Sequence, residues 1–165
     1  MSDRDDFVAR FGGVFEHSPW IAERAFDNGR INAPLAAGPV HEALCTEFRA
    51  AGHGERLEVL RAHPDLAGKL AIAGGLTEDS KSEQAGAGLD RLSADEHARF
   101  TELNTRYMTH FGFPFIIAVK GHDKHSILAA FETRVGNDPE TEFATACAEV
   151  EKIAGFRIHA LLAEG

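Results

Sequence analysis

A histidine followed by proline, and a polar run a short distance after it, make His63 and residues 80–84 the first candidates for chemistry. They lie in the stretch RAHPDLAGKLAIAGGLTEDSKSEQAGAG, residues 61–88, which interrupts a chain otherwise patterned as amphipathic helix. Pro64 biases His63 toward extended backbone, and an imidazole takes and gives a proton near neutral pH. Against this, the chain has nine histidines, and one at a helix end ordinarily does no more than satisfy carbonyls. Ser80, Glu83 and Gln84 stand at helical spacings of three and four, so they can present a hydroxyl, a carboxylate and an amide to one ligand. The same S-x-x-E spacing also fits a helix start, with Ser80 as cap and Glu83 as its box partner. Both readings can hold together. Gly86 and Gly88 allow close approach of another backbone.

Arg157 is the next anomaly. It falls on the apolar stripe of the last helix, with Phe143, Cys147, Val150, Ala154 and Leu161. A guanidinium on such a face must be paired or must line a cavity. The plain alternatives are a structural salt bridge with one of the many carboxylates, or snorkelling to the rim.

Common motifs are missing. His41-Glu42 lacks the second histidine of a zinc HExxH, because position 45 is cysteine, and Gly68-Lys69 lacks the rest of a phosphate loop. His122 and His125 have no evident third ligand and read as solvated, so no metal site is expected. The chemistry left is that of acid/base and hydrogen-bonding groups without a cofactor.

The elements that must position these groups are helical. Ser2 and Asp3 are set to cap a first helix, with Phe7 and Phe11 one turn apart and Gly12-Gly13 ending it. Ser18-Pro19 reads as the cap and first-turn proline of the next helix, which Asn28-Gly29 stops. Pro39 opens a third, with Val40, Leu44 and Phe48 inward. A fourth spans residues 55–62, with Leu57 and Leu60 buried, and residues 66–73 are expected to resume helix. Ser93 and Glu96 form a capping box for the clearest helix, with Phe100, Leu103, Tyr107, Met108 and Phe111 on its stripe and Gly112 at its end. Residues 113–119, FPFIIAV, have no partner strand in view and read as a buried extended segment whose main-chain groups need partners, a ligand among them. A helix over residues 125–135 buries Ile127, Leu128, Phe131 and Val135, and Asp138-Pro139 caps a long final helix. The sum is an all-α, single-domain bundle over residues 1–165, with roughly eight helices and little or no sheet.

The bulk numbers agree with one globular domain: 165 residues, 44% hydrophobic and 26% charged. A formal charge of −9 argues against a nucleic-acid partner. No apolar run is long enough to span a bilayer, and the acidic MSDRDDF start lacks the apolar region of a signal peptide. Cys45 and Cys147, far apart, read as buried reduced thiols. The expected place is the cytoplasm.

Several motifs together resemble a known family. His63-Pro64-Asp65-Leu66-Ala67, then Leu76-Thr77 with Ser80-Lys81-Ser82-Glu83-Gln84, then Phe111-Gly112-Phe113-Pro114-Phe115-Ile116 are similar to the decarboxylases of 2-oxo-4-hydroxy-4-carboxy-5-ureidoimidazoline (OHCU). Ser18-Pro19-Trp20 and Lys152-Ile153-Ala154 with Arg157 fit as well, and the resemblance covers nearly the whole chain. It implies an all-helical, cofactor-free enzyme of the last step from urate to allantoin. It implies His63 as the catalytic histidine and Glu83 as its acidic partner. It implies substrate contacts at Pro64, at Ser80, Lys81, Ser82, Glu83 and Gln84, at Phe115, Ile116, Ile117, Ala118 and Val119, and at Arg157. Several members are homodimers, so the resemblance extends that expectation here, with functional coupling to urate oxidase and hydroxyisourate hydrolase. Two alternatives stand beside it: another cofactor-free lyase or hydrolase of a ureide or hydantoin-like ring, and a non-catalytic helical binding module.

Overall fold

The computed structural model describes residues 3–67 and 76–163. Among them are α1 (Asp3–Phe11), α2 (Trp20–Asp27), α3 (Ala37–Ala50), α4 (His53–Ala62), α5 (Glu78–Gly86), α6 (Ala94–Phe111), α7 (Lys124–Arg134) and α8 (Pro139–Ala163). No strand occurs among the described residues, so the all-α expectation holds. Of the helix expected over 66–73, Leu66 and Ala67 form a turn and the rest lies outside the described residues. The chain divides between two compact units, one of Met1–Ala62 with Val150–Gly165, the other of His63–Glu149, and α8 has residues in both.

In the first unit α1 packs on α2 and α2 on α3. Phe7 and Phe11 meet with ring centroids 4.9 Å apart, and Phe15 meets Phe48 at 5.3 Å. Each such fully buried ring contributes about 1.5–3 kcal/mol. Glycine is required at position 12, because a Cβ there would lie 2.5 Å from the Val8 carbonyl oxygen, which accepts from the Gly12 amide. The expected Ser18 cap of α2 does not form. Its hydroxyl donates to the Glu16 carbonyl at 2.9 Å, and Pro19 takes the cap position with helical φ and ψ and no side-chain cap bond. α3 starts before Pro39, which sits in its first turn, where the missing amide costs nothing. Val40, Leu44 and Phe48 are buried as their spacing requires, whereas in α4 Val59 and Leu60 are buried and Leu57 is only half-buried. Cys45 is a buried thiol, pushed up to about 12 chiefly by that burial. In the later part of α8, Val150, Ala154 and Ile158 are buried and Leu161 is half-buried.

In the second unit the Ser93 capping box forms with both bonds: Glu96 N–H to Ser93 Oγ at 3.1 Å, and Ser93 N–H to Glu96 Oε1 at 2.9 Å. Gly112 ends α6 in the left-handed region, at φ 79°. Phe100, Leu103 and Tyr107 are buried, but Met108 is 41% exposed and Phe111 half-buried. One residue past Tyr107, Met108 has turned about 100° from the stripe. α7 packs on α6 and begins at Asp123, whose carboxylate accepts from the amides of His125 and Ser126. It buries Ile127 and Phe131, while Leu128 and Val135 are half-buried. Asp138 starts α8 as expected, accepting from the Thr141 amide at 3.0 Å and from its hydroxyl at 2.6 Å. Residues 113–118 are buried without regular secondary structure.

Candidate functional site

His63 is 6% exposed and opens a loop, residues 63–67, that two side-chain amides hold from behind. Gln84 of α5 accepts from the Ala67 amide at 2.9 Å through Oε1 and donates from Nε2 to the Asp65 carbonyl at 3.3 Å. Asn104 of α6 donates from Nδ2 to the Leu66 carbonyl at 3.0 Å. Three successive residues are thus bonded through their main chain to buried amides. The tie matters because Ala67 stands at φ 52°, a region that costs a residue with a Cβ roughly 1–2 kcal/mol. Burial also pushes the Asp65 carboxyl above its ordinary range.

α5 carries residues 80–84 and orients Gln84. Its cap is Thr77, whose hydroxyl accepts from the Ser80 amide at 3.2 Å. Ser80 is therefore inside the first turn and not the cap that its spacing to Glu83 suggested. Ser80 and Gln84 are buried, Glu83 is half-buried, and Lys81 and Ser82 are exposed.

The segment 113–119 is held at three points. Arg134 Nη1 donates to the Ile116 carbonyl at 2.8 Å. Glu149 Oε1 accepts from the Ala118 amide at 3.1 Å. The Val119 carbonyl accepts from the His122 amide at 2.9 Å. Phe115 lies flat on Phe131, with centroids 4.0 Å apart and planes 8° apart, and the Arg134 guanidinium lies 4.4 Å from the centre of the Phe115 ring.

Arg157 belongs to the first unit and is 5% exposed. Its Nη1 donates to Glu16 Oε2 at 2.6 Å and to the Gly13 carbonyl at 3.4 Å. The structural salt bridge that its position on the stripe permitted is present. Among the described residues no group of His, Cys, Asp and Glu gathers to hold a metal, and His122 pairs with the Ser126 hydroxyl at 3.0 Å.

In the second unit four buried polar residues escaped the reading of the sequence: Asn104, Arg134, Glu142 and Glu149. The signal was available. Asn104 follows Phe100 by four positions, Arg134 follows Ile127 by seven, and Glu142 and Glu149 share a helical row with Ala146 and Ile153.

The architecture of the described residues is that of an all-helical protein in which buried side chains hold one histidine-bearing loop and one non-helical segment. The OHCU decarboxylase family model matches residues 1–159, and the chain belongs to that family. The 2-oxo-4-hydroxy-4-carboxy-5-ureidoimidazoline decarboxylase of Haloferax volcanii is 41% identical over 94% of this chain and 89% of its own. The uric acid degradation bifunctional protein of a Bacillus species is 36% identical over 97% of this chain, which corresponds to 30% of that longer protein. Among solved structures, an (S)-allantoin synthase superposes with a TM-score of 0.78 at 30% identity, over 97% of this chain and 51% of that one. No helix among the described residues is long and apolar enough to cross a membrane.

Proposed function

We infer that this chain decarboxylates 2-oxo-4-hydroxy-4-carboxy-5-ureidoimidazoline to (S)-allantoin and CO₂, the last step from urate to allantoin. The observation that carries it is membership of the OHCU decarboxylase family over residues 1–159, joined to a buried His63 on a clamped loop.

The reaction suits a protein that supplies only acid/base and hydrogen-bonding groups. The bond between the ring carbon and its carboxylate breaks and CO₂ leaves. The electron pair passes into the conjugated ring, onto nitrogen and oxygen, and a proton then adds to one face. The ring is its own electron sink. The protein must hold the breaking bond perpendicular to the conjugated system, stabilise the enolate-like charge with donors, and deliver the proton from one side.

His63 is the acid/base group beside the substrate's hydroxyl and carboxylate. Glu83 orients His63 or the ring N–H groups. Pro64 and residues 80–84 line the substrate, and Arg157 supplies a guanidinium for an anionic or carbonyl oxygen. Within 115–119 the carbonyls of Ile116 and Val119 and the amide of Ala118 already have protein partners. The main chain of Ile117, between two anchored residues, is therefore the best placed to meet the ureido arm. Homodimerisation and coupling to urate oxidase and hydroxyisourate hydrolase complete this reading. The match to part of a uric acid degradation bifunctional protein supports the coupling.

The test is circular dichroism of urate treated with urate oxidase and hydroxyisourate hydrolase, with this protein added last. Rapid growth of one allantoin enantiomer, beyond the slow racemic background, is expected. A folded sample that leaves the background unchanged would remove the assigned reaction.

A further inference from the structure

A buried charged network in the second unit, built on Arg134 and Glu142, holds the 113–119 segment. Glu142 is 0% exposed, Arg134 8% and Tyr107 0%. Arg134 Nε reaches Glu142 Oε1 and Oε2 at 3.1 and 3.2 Å, and its Nη2 reaches Oε2 at 3.1 Å. Glu142 also accepts from the Tyr107 hydroxyl and, at 3.1 Å, from Asn137 Nδ2. Burial, then the bond to Glu142, pushes the Tyr107 phenol well above its ordinary range, so it stays a donor. These contacts account for the acceptor capacity of the carboxylate.

What remains of the guanidinium is Nη1, and it donates to the Ile116 carbonyl at 2.8 Å. Its flat face covers Phe115, which is itself stacked on Phe131. One planar group therefore fixes both the ring of residue 115 and the carbonyl of residue 116. On the far side of Ile117, Glu149 takes the Ala118 amide. A buried ion pair of this kind is poor evidence for stability, because well-packed apolar residues often replace one at no loss. A fixed donor aimed at a single main-chain carbonyl is what apolar residues cannot supply.

We propose that Arg134, held by Glu142, Tyr107 and Asn137, is a positioning residue for the reaction: it sets the main chain of residues 115–117 at the spacing the substrate requires. The proposal rests on the reading above, that this segment meets the ligand. Lysine at position 134 keeps the charge opposite Glu142 but has no planar fork to span the carboxylate and the Ile116 carbonyl together.

The experiment compares wild type, Arg134→Lys and the double variant Arg134→Met/Glu142→Leu, which removes both buried charges at once. Stereospecific turnover, thermal unfolding and amide hydrogen exchange are measured on each. In Arg134→Lys we expect kcat to fall by about tenfold or more, with faster exchange confined to residues 115–119 and α6, α7 and α8 still protected. The double variant should show the same loss of kcat, with a melting temperature lowered by the Tyr107 hydroxyl and the Ile116 carbonyl that lose these partners. A folded Arg134→Lys with wild-type kcat and unaltered exchange at 115–119 overturns the proposal. So does a kcat that falls only in proportion to the folded fraction. A wild-type protein with no stereospecific turnover overturns the decarboxylase reading itself, which the other outcomes leave standing.

Discussion

The side-chain carbonyl of Gln84 accepts the main-chain amide of Ala67, four residues after His63, at 2.9 Å. The amide nitrogen of the same side chain reaches back to the Asp65 carbonyl at 3.3 Å. One residue on α5 thereby holds the chain on both sides of Leu66, and Asn104 holds Leu66 itself. A loop with Ala67 in the left-handed region has few other ways to stay in place.

Gln84→Leu keeps the bulk and removes both bonds. The Ala67 amide is left buried and unsatisfied, which costs about 1–3 kcal/mol of stability. Because the loop carries His63, kcat should also fall, by about tenfold or more. Gln84→Glu, which keeps the acceptor for Ala67 but not the donor to Asp65, should lie between. Steady-state kinetics with urea unfolding separates the two effects. A rise in KM alone, with full kcat, would place the Gln84 amide on the substrate in preference to the loop.

How much of this was legible beforehand follows from the physics of each element. Helices with a strong stripe and a local stop signal, such as α6 with its Ser93 box and Gly112, were visible because capping and periodicity are local. The cap of α5 was not. Thr77 and Ser80 are both competent caps, and the S-x-x-E spacing favoured the wrong one. His63 and residues 80–84 stood out through proline and polar clustering. The residues that hold the His63 loop from α6 and the 113–119 segment from α7 did not, because a lone Asn104 or Arg134 on an apolar stripe gives no sign of its partner. The Arg157–Glu16 pair shows the same limit: the need for a carboxylate was readable, but its identity, 141 positions away, was not.

His63→Ala should reduce kcat by about 10²-fold or more, the usual worth of a positioned acid/base group. The far-ultraviolet spectrum and the unfolding midpoint of the variant should show that the helices remain. Near-wild-type turnover by a folded His63→Ala protein would move the proton transfer to another group, with Glu83 the next to be replaced.

Arg157→Ala should cost stability before it costs anything else. It leaves Glu16, 2% exposed, as a buried charge without its 2.6 Å partner, and breaking such a pair typically costs about 3–5 kcal/mol. Arg157→Met with Glu16→Leu should regain most of that loss. The double variant then isolates the binding role. A raised KM at restored stability supports a guanidinium on the substrate, whereas wild-type KM confines Arg157 to its salt bridge.

The loop also predicts a dependence on pH. Burial raises the Asp65 carboxyl from its ordinary 3.8, so the native chain binds that proton more tightly than the unfolded chain does. Its contribution to stability is complete below the unfolded value and is lost as pH climbs through the raised native value. At neutral pH the charge sits in a half-buried position and opposes folding. Asp65→Asn has no charge to bury. Its urea midpoint, measured beside wild type from about pH 3 to pH 7, should gain on the wild-type value as pH rises above 3.8 and level off once Asp65 is ionised in both states. A difference between the two proteins that does not change across that range would mean that the Asp65 carboxylate is well solvated in the folded protein.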